Sequence, residues 1–151
     1  MKNSLIILCS VVLLVSSCNS SKTTNSNQSN VSNLKANLID GSWEVTNIIN
    51  TPKPFNELYA QLKPKITFNS KDGHVSGITG CNNFTGKFSL DGSKLSWSTG
   101  MAVTRKICAD MDGEQIFLEK KQKVNAYSVS EKGNILQLLV DNTIVMSLKN
   151  E

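Results

Sequence analysis

Apolar and polar residues alternate along most of the chain beyond position 42, and a chain patterned this way has few folds open to it. "SWEVTNIIN" sets Trp43 and Val45 on one side, and "KITFN" does the same with Ile66 and Phe68. "FTGKFSL" aligns Phe84, Gly86, Phe88 and Leu90, and "LSW" aligns Leu95 and Trp97. Near the end, "AYSVS", "ILQLLV" and "TIVMSLK" are separated by "EKGN" and "DN", the layout of a meander with tight turns. Glu44, Thr67, Lys87, Ser96 and Ser147 fall on the opposite faces, toward water. One dry and one wet face per strand predicts an antiparallel sheet or barrel and argues against a parallel α/β sheet.

One segment breaks the rule. In "DGEQIFLEKKQKV", Ile116, Phe117, Lys120 and Val124 recur at helical spacing, and an acidic start with a basic end suits the helix dipole. The pattern predicts a helix near 112–124 with Ile116, Phe117 and Val124 buried. "EKKQK" at 119–123 reads as its solvated face, with Lys121 and Lys123 in water. "FNELYAQL", between Pro54 and Pro64, reads as a second short helix or a loop. The class expected is mainly β, with one α-helix inserted late.

The start of the chain sets the compartment. Lys2 precedes an apolar run, Leu5 to Val15, too short to span a bilayer comfortably, which is the layout of a secretory signal peptide. "LVSSC" at 14–18 resembles a bacterial lipobox. That resemblance implies a lipoprotein signal peptide at 1–17 and a new N-terminus at Cys18 carrying a diacylglycerol and an amide-linked acyl chain, enough for stable anchoring. The alternative is an ordinary cleaved leader with a free Cys18. Asn19, in place of Asp, favours outer-membrane delivery. Residues 19–33 are almost wholly Asn, Ser, Thr and Gln, and 18–36 read as a lipidated, disordered tether spanning roughly 25 Å. Residues 37–151 then form one domain. The net charge of +4, which falls by one when Lys2 leaves, is too mild to argue for nucleic acid as a partner.

Four cysteines are present. Once Cys9 has left with the leader and Cys18 is lipidated, Cys81 and Cys108 remain. In an oxidising envelope compartment an even pair suggests a disulfide, which would stabilise by roughly 3.5 kcal/mol. Two buried reduced thiols are the alternative. A metal site needs at least three ligands, and His74 is the sole histidine, with Asp110 and Asp112 as weak extras. A Cys81–His74 nucleophile pair has no third group to orient it. Neither a cofactor, a metal nor a catalytic set is expected, and a Cys-dependent enzyme is the remote option.

"GCNNFTG" at 80–86, "TRKIC" at 104–108 and "EQIF" at 114–117 together resemble the META domain, the family of HslJ-like heat-shock lipoproteins of bacteria. Trp43, Val45 and Ile48 fit its start. Asn83 stands where relatives often carry Arg, and "TPKPFNELYAQLKP" is an insertion particular to this chain. The resemblance implies a small open antiparallel barrel, similar to the lipid-binding pilotin lipoproteins, with one helix and a bonded cysteine pair. It implies a non-enzymatic envelope lipoprotein, acting in stress tolerance or assembly through contacts with an envelope protein or lipid. A pilotin-like carrier of an acyl chain or other apolar ligand is the alternative. At least six strands are expected, with the helix covering an opening. Gly77, Gly80 and Gly86 are expected to let a strand bulge and bend. Asn82 and Asn83 are expected to tolerate left-handed backbone and to bond nearby groups, and Cys81 to tie the bend to the segment before the helix. Asn82, Asn83 and Thr104 are the candidate binding residues.

Overall fold

The computed structural model describes residues 38–109 and 111–151; the expected leader and tether, Cys18 and Asp110 lie outside them. Each alternating run becomes a strand: β1 (Gly41–Ile48), β2 (Lys65–Asn69), β3 (His74–Ile78), β4 (Asn83–Asp91), β5 (Lys94–Trp97), β6 (Ala102–Val103), β7 (Ala126–Val129), β8 (Ile135–Val140) and β9 (Thr143–Asn150). Helix α1 is one short turn, Phe55–Leu58, and α2 spans Asp112–Lys123 between β6 and β7.

All pairings are antiparallel, in the order β3-β2-β1-β9-β8-β7-β5-β4, and β4 pairs back onto β3. The fold is therefore mainly β, a closed eight-stranded barrel, with β6 lying on the edge of β4 beside β5. Closure is thinnest at β5–β7. One register pair, Lys94 with Ala126, joins them, flanked by Leu95 N–H to Asn125 O and Tyr127 N–H to Ser93 O, both 2.9 Å. Beyond that seam the indole N–H of Trp97 donates to Val124 O at 3.1 Å, so a side chain takes over where the ladder stops.

Eight strands enclose just enough space for side chains to fill. Trp43, Ile66, Phe68, Leu95, Phe117, Leu136, Leu138, Met146 and Leu148 are each under 2% exposed. Phe68 meets Phe88 edge-on, with ring centres 5.1 Å apart. From α2, Phe117 enters this interior and lies 5.8 Å from the Phe84 ring. Ile116, expected inside, is half-buried, and Lys121, expected in water, is buried. The reason is helical geometry. Lys121 stands four residues after Phe117 and so shares its face, whereas Ile116 lies one residue off that stripe.

"GITGCNNFTGKF" is two strands rather than one. β3 ends at Ile78 and β4 begins at Asn83, with a tight corner between. The expected bulge is absent there, for β3 and β4 pair in unbroken register. The register shifts lie instead in β1, between Val45 and Asn47, and in β8, between Leu138 and Leu139. Gly77 serves proximity, since a Cβ there would collide with the Lys65 carbonyl. Because Phe117 fills the interior from the helix side, Phe117→Ala should lower the unfolding free energy by about 3–5 kcal/mol. Ile116→Ala should cost clearly less; urea melts of the two variants check the order.

Candidate functional site

The corner between β3 and β4 is assembled from the motif residues. Gly80 takes φ +108°, a left-handed conformation that glycine adopts freely. Thr79 N–H donates to Asn82 O at 2.8 Å and closes the turn. Cys81 is bonded to Cys108, with Cα atoms 6.1 Å apart, and this ties the corner to the segment before α2. Asn82 and Asn83 do not use left-handed backbone; in the described residues only Asn50 and Asp141 do so among non-glycines.

Asn82 works through its side chain, which is 1% exposed. Its Nδ2 donates to Glu114 Oε2 at 2.9 Å and to Lys106 O at 3.1 Å. Its Oδ1 accepts from Thr104 Oγ1 at 2.7 Å and from Lys106 N–H at 2.6 Å. Both donors and both acceptor sites of the amide are thus used within the protein. Glu114, also buried, further accepts from Thr79 Oγ1 at 2.9 Å and from Asn82 N–H at 3.1 Å. Thr104 Oγ1 accepts from Asn83 N–H at 3.1 Å, and the Asn83 side chain is exposed. The structure brings Cys81, Cys108, Asn82, Asn83 and Thr104 together around the head of α2, where they form a clamp. Glu114 is the member that sequence reasoning missed. Its acidity at a helix start was assigned to the dipole, yet it precedes Phe117 by three residues and so lies on the same stripe.

Tyr59 completes the clamp from the other side. Its hydroxyl donates to Gly113 O at 2.6 Å, and its ring lies against two glycines. A Cβ at Gly80 would sit 3.0 Å from that ring, and one at Gly113 only 2.8 Å. Burial pushes the Tyr59 phenol well above its ordinary pKa. His74 lies at the opposite end of β3 from Cys81, its Nε2 2.9 Å from Thr85 Oγ1. Among the described residues no group of three or more His, Cys, Asp or Glu converges on a metal position.

The other end of α2 presents different chemistry. Lys121 Nζ lies 3.9 Å from the centre of the Trp97 ring and 5.9 Å from that of Phe84, and it donates to Met101 Sδ at 2.9 Å. The residue is 4% exposed, and burial lowers its pKa from 10.5 to about 8. Beside it, between α2 and the β5–β6 connection, runs a groove of about 680 Å³ walled by Leu95, Trp97, Met101, Val103 and Leu118. Its neighbour Lys123 is exposed and pairs with Glu119 at 2.7 Å.

These features define a class: a disulfide-tied antiparallel barrel with one helix clamped across it. The META domain model matches residues 36–151, and the chain belongs to the META domain family. Solved structures share the fold. An NMR structure of a protein from Burkholderia xenovorans has a TM-score of 0.60 at 23% identity, covering 78% of this chain and 87% of its own. A crystal structure of a DUF4847 family protein from Bacteroides vulgatus gives 0.52 at 14% identity, covering 78% and 97% respectively. No curated protein matches the chain.

Asn82→Ala leaves the Lys106 N–H and the Thr104 hydroxyl without their acceptor and removes one of the three donors of Glu114, and should cost about 2–4 kcal/mol in non-reducing urea melts; replacing both Cys81 and Cys108 by serine should cost a similar amount and leave the fold recognisable. Lys121 gives the opposite sign. Its folded pKa is depressed, so the unfolded chain binds more protons between about pH 8 and 10.5, and wild-type stability gains from rising pH in that window. Lys121→Met should therefore be the more stable protein at pH 7, by about 1–3 kcal/mol, with the advantage shrinking toward pH 10.

Proposed function

We propose that the chain is a non-enzymatic envelope lipoprotein of the META/HslJ type, anchored to the membrane through lipid on Cys18. It acts by contact with envelope proteins or lipid, in stress tolerance or in the assembly of other envelope components. The observation that carries this reading is the Cys81–Cys108 bond. Disulfides persist in oxidising compartments and are rare in the cytosol, which agrees with the leader and lipobox at the start of the sequence. The bond also engages both sulfurs, and Asn82 and Thr104 are turned to the protein's own groups. The motif therefore reads as scaffold, and its work as presenting an exterior surface from a tether.

A second reading, a carrier of an acyl chain or other apolar ligand, has one observation in its favour. The barrel interior is occupied by side chains, but the groove beside α2 sets Trp97, Met101, Val103 and Leu118 beside the polar Ser98 and Gln122 and has a ligand-sized volume. A ligand would sit on the outside of the barrel, against the helix.

Mass spectrometry of the membrane-extracted protein should show loss of residues 1–17 and addition of acyl chains. Cys18→Ala should move the domain into the soluble fraction and fail to restore stress tolerance to cells lacking the protein. A Cys18→Ala variant that stays membrane-bound at the wild-type level, or that restores tolerance fully, overturns the anchored reading.

A further inference from the structure

We propose that the groove between α2 and the β5–β6 connection is a binding site for a singly charged anionic amphiphile, a carboxylate on an apolar chain, with the Lys121 ammonium as receptor for its head group. The inference deepens the second reading above and rests on it.

An ammonium carries three donors and no acceptor. The acceptor that Lys121 has is the Met101 thioether, a weak one, and the remaining contacts are with the Trp97 and Phe84 ring faces. No carboxylate among the described residues pairs with it. A buried charge without a counter-ion is costly, and methionine would fill the same volume at no such cost. Destabilising groups of this kind cluster at functional sites. The surroundings indicate what is bound. The groove falls within the volume range of small-molecule sites, about 300–1,000 Å³. The half-buried Trp97, Val103 and Leu118 offer apolar contact along it, beside polar Ser98, Thr99 and Gln122.

The charge count limits the head group. Lys123 also borders the groove, but its ammonium is paired with Glu119. Among the described residues that leaves one uncompensated positive charge at the groove, which matches a carboxylate and leaves a doubly charged phosphate monoester half-neutralised. Met101 is the displaceable part. It is unbranched and flexible and follows Gly100, which holds φ +93°. Its side chain packs over Gly86, where a Cβ would come within 3.2 Å of Cε. Swinging the thioether aside vacates a position 2.9 Å from Nζ, a hydrogen-bond distance for a carboxylate oxygen.

The test uses the full chain in nanodiscs of zwitterionic lipid, with octanoate and octan-1-ol as probes and tryptophan emission as readout. Wild type should bind octanoate about tenfold or more tightly than octan-1-ol, the scale of one charge-assisted hydrogen bond. Lys121→Met should lose that preference while still binding octan-1-ol, and it controls for partition into the bilayer because it shares the lipid. Octanoate affinity of wild type should also fall as pH rises beyond Lys121 ionisation. Equal affinity of wild type for the two probes, or an octanoate preference that survives in Lys121→Met, overturns the head-group assignment and leaves the carrier reading standing. If neither probe binds, both fall. Equal affinity of wild type for the two probes overturns the assignment by itself, so the proposal stays falsifiable even where the variant fails to fold.

Discussion

The arrangement of the molecule hangs on the side-chain amide of Asn82. From one position in the β3–β4 corner it bonds the helix through Glu114 and the approaching segment through Thr104 and Lys106. Without it, three pieces of chain would have to satisfy buried polar groups separately, and each unsatisfied group costs about 1–3 kcal/mol. The disulfide acts on the same junction by a different route. In the chain-entropy account it restricts the unfolded ensemble, whereas the amide acts only in the folded state. Once both are in place, the head of α2 is fixed and Phe117 is delivered to the interior one turn later. Tyr59 requires Gly80 and Gly113 to be bare, so the helix can approach only because the sequence leaves those two positions without side chains.

The buried stripe of α2 reads Glu114, Phe117, Lys121, with Val124 just beyond its end. An acid near the N-terminus and a base near the C-terminus both suit the dipole, but the protein treats the two charged residues differently. Glu114 meets three donors. Lys121 meets ring faces and a sulfur. The first arrangement is that of a structural group; the second leaves hydrogen-bonding capacity unused in the interior.

The same contrast explains what the sequence could disclose. Strand residues such as Trp43, Ile66, Phe68, Phe84 and Phe88 were legible because apolar alternation and burial coincide in them. The META resemblance was legible because its motif residues are those the junction needs. Glu114 and Lys121 were not, because a reading that sends polar residues to water must misplace any polar residue held inside by a partner. The β3–β4 corner reads in sequence as a weakened strand because glycine and asparagine disfavour strands and favour turns alike, and only the partners of Asn82 distinguish the cases. β6, two residues long, carries too little pattern to be seen. It is placed by Thr104 and Asn83 bonding just beyond its end.

The two ends of α2 are unequally held, and this bears on where a ligand could enter. The head is gripped by a covalent bond, the Asn82 amide and the Tyr59 hydroxyl. The tail is joined to β5 by the Trp97–Val124 bond and to the barrel by a seam with a single register pair. Regions with few backbone bonds open at lower free energy than the rest of a fold. Displacing Met101 at that end disturbs no strand ladder, whereas widening the barrel at its motif end would break the clamp. A binding site that must make room for its ligand is therefore better placed beside Lys121 than at the more distinctive motif, even though the motif is what identifies the family.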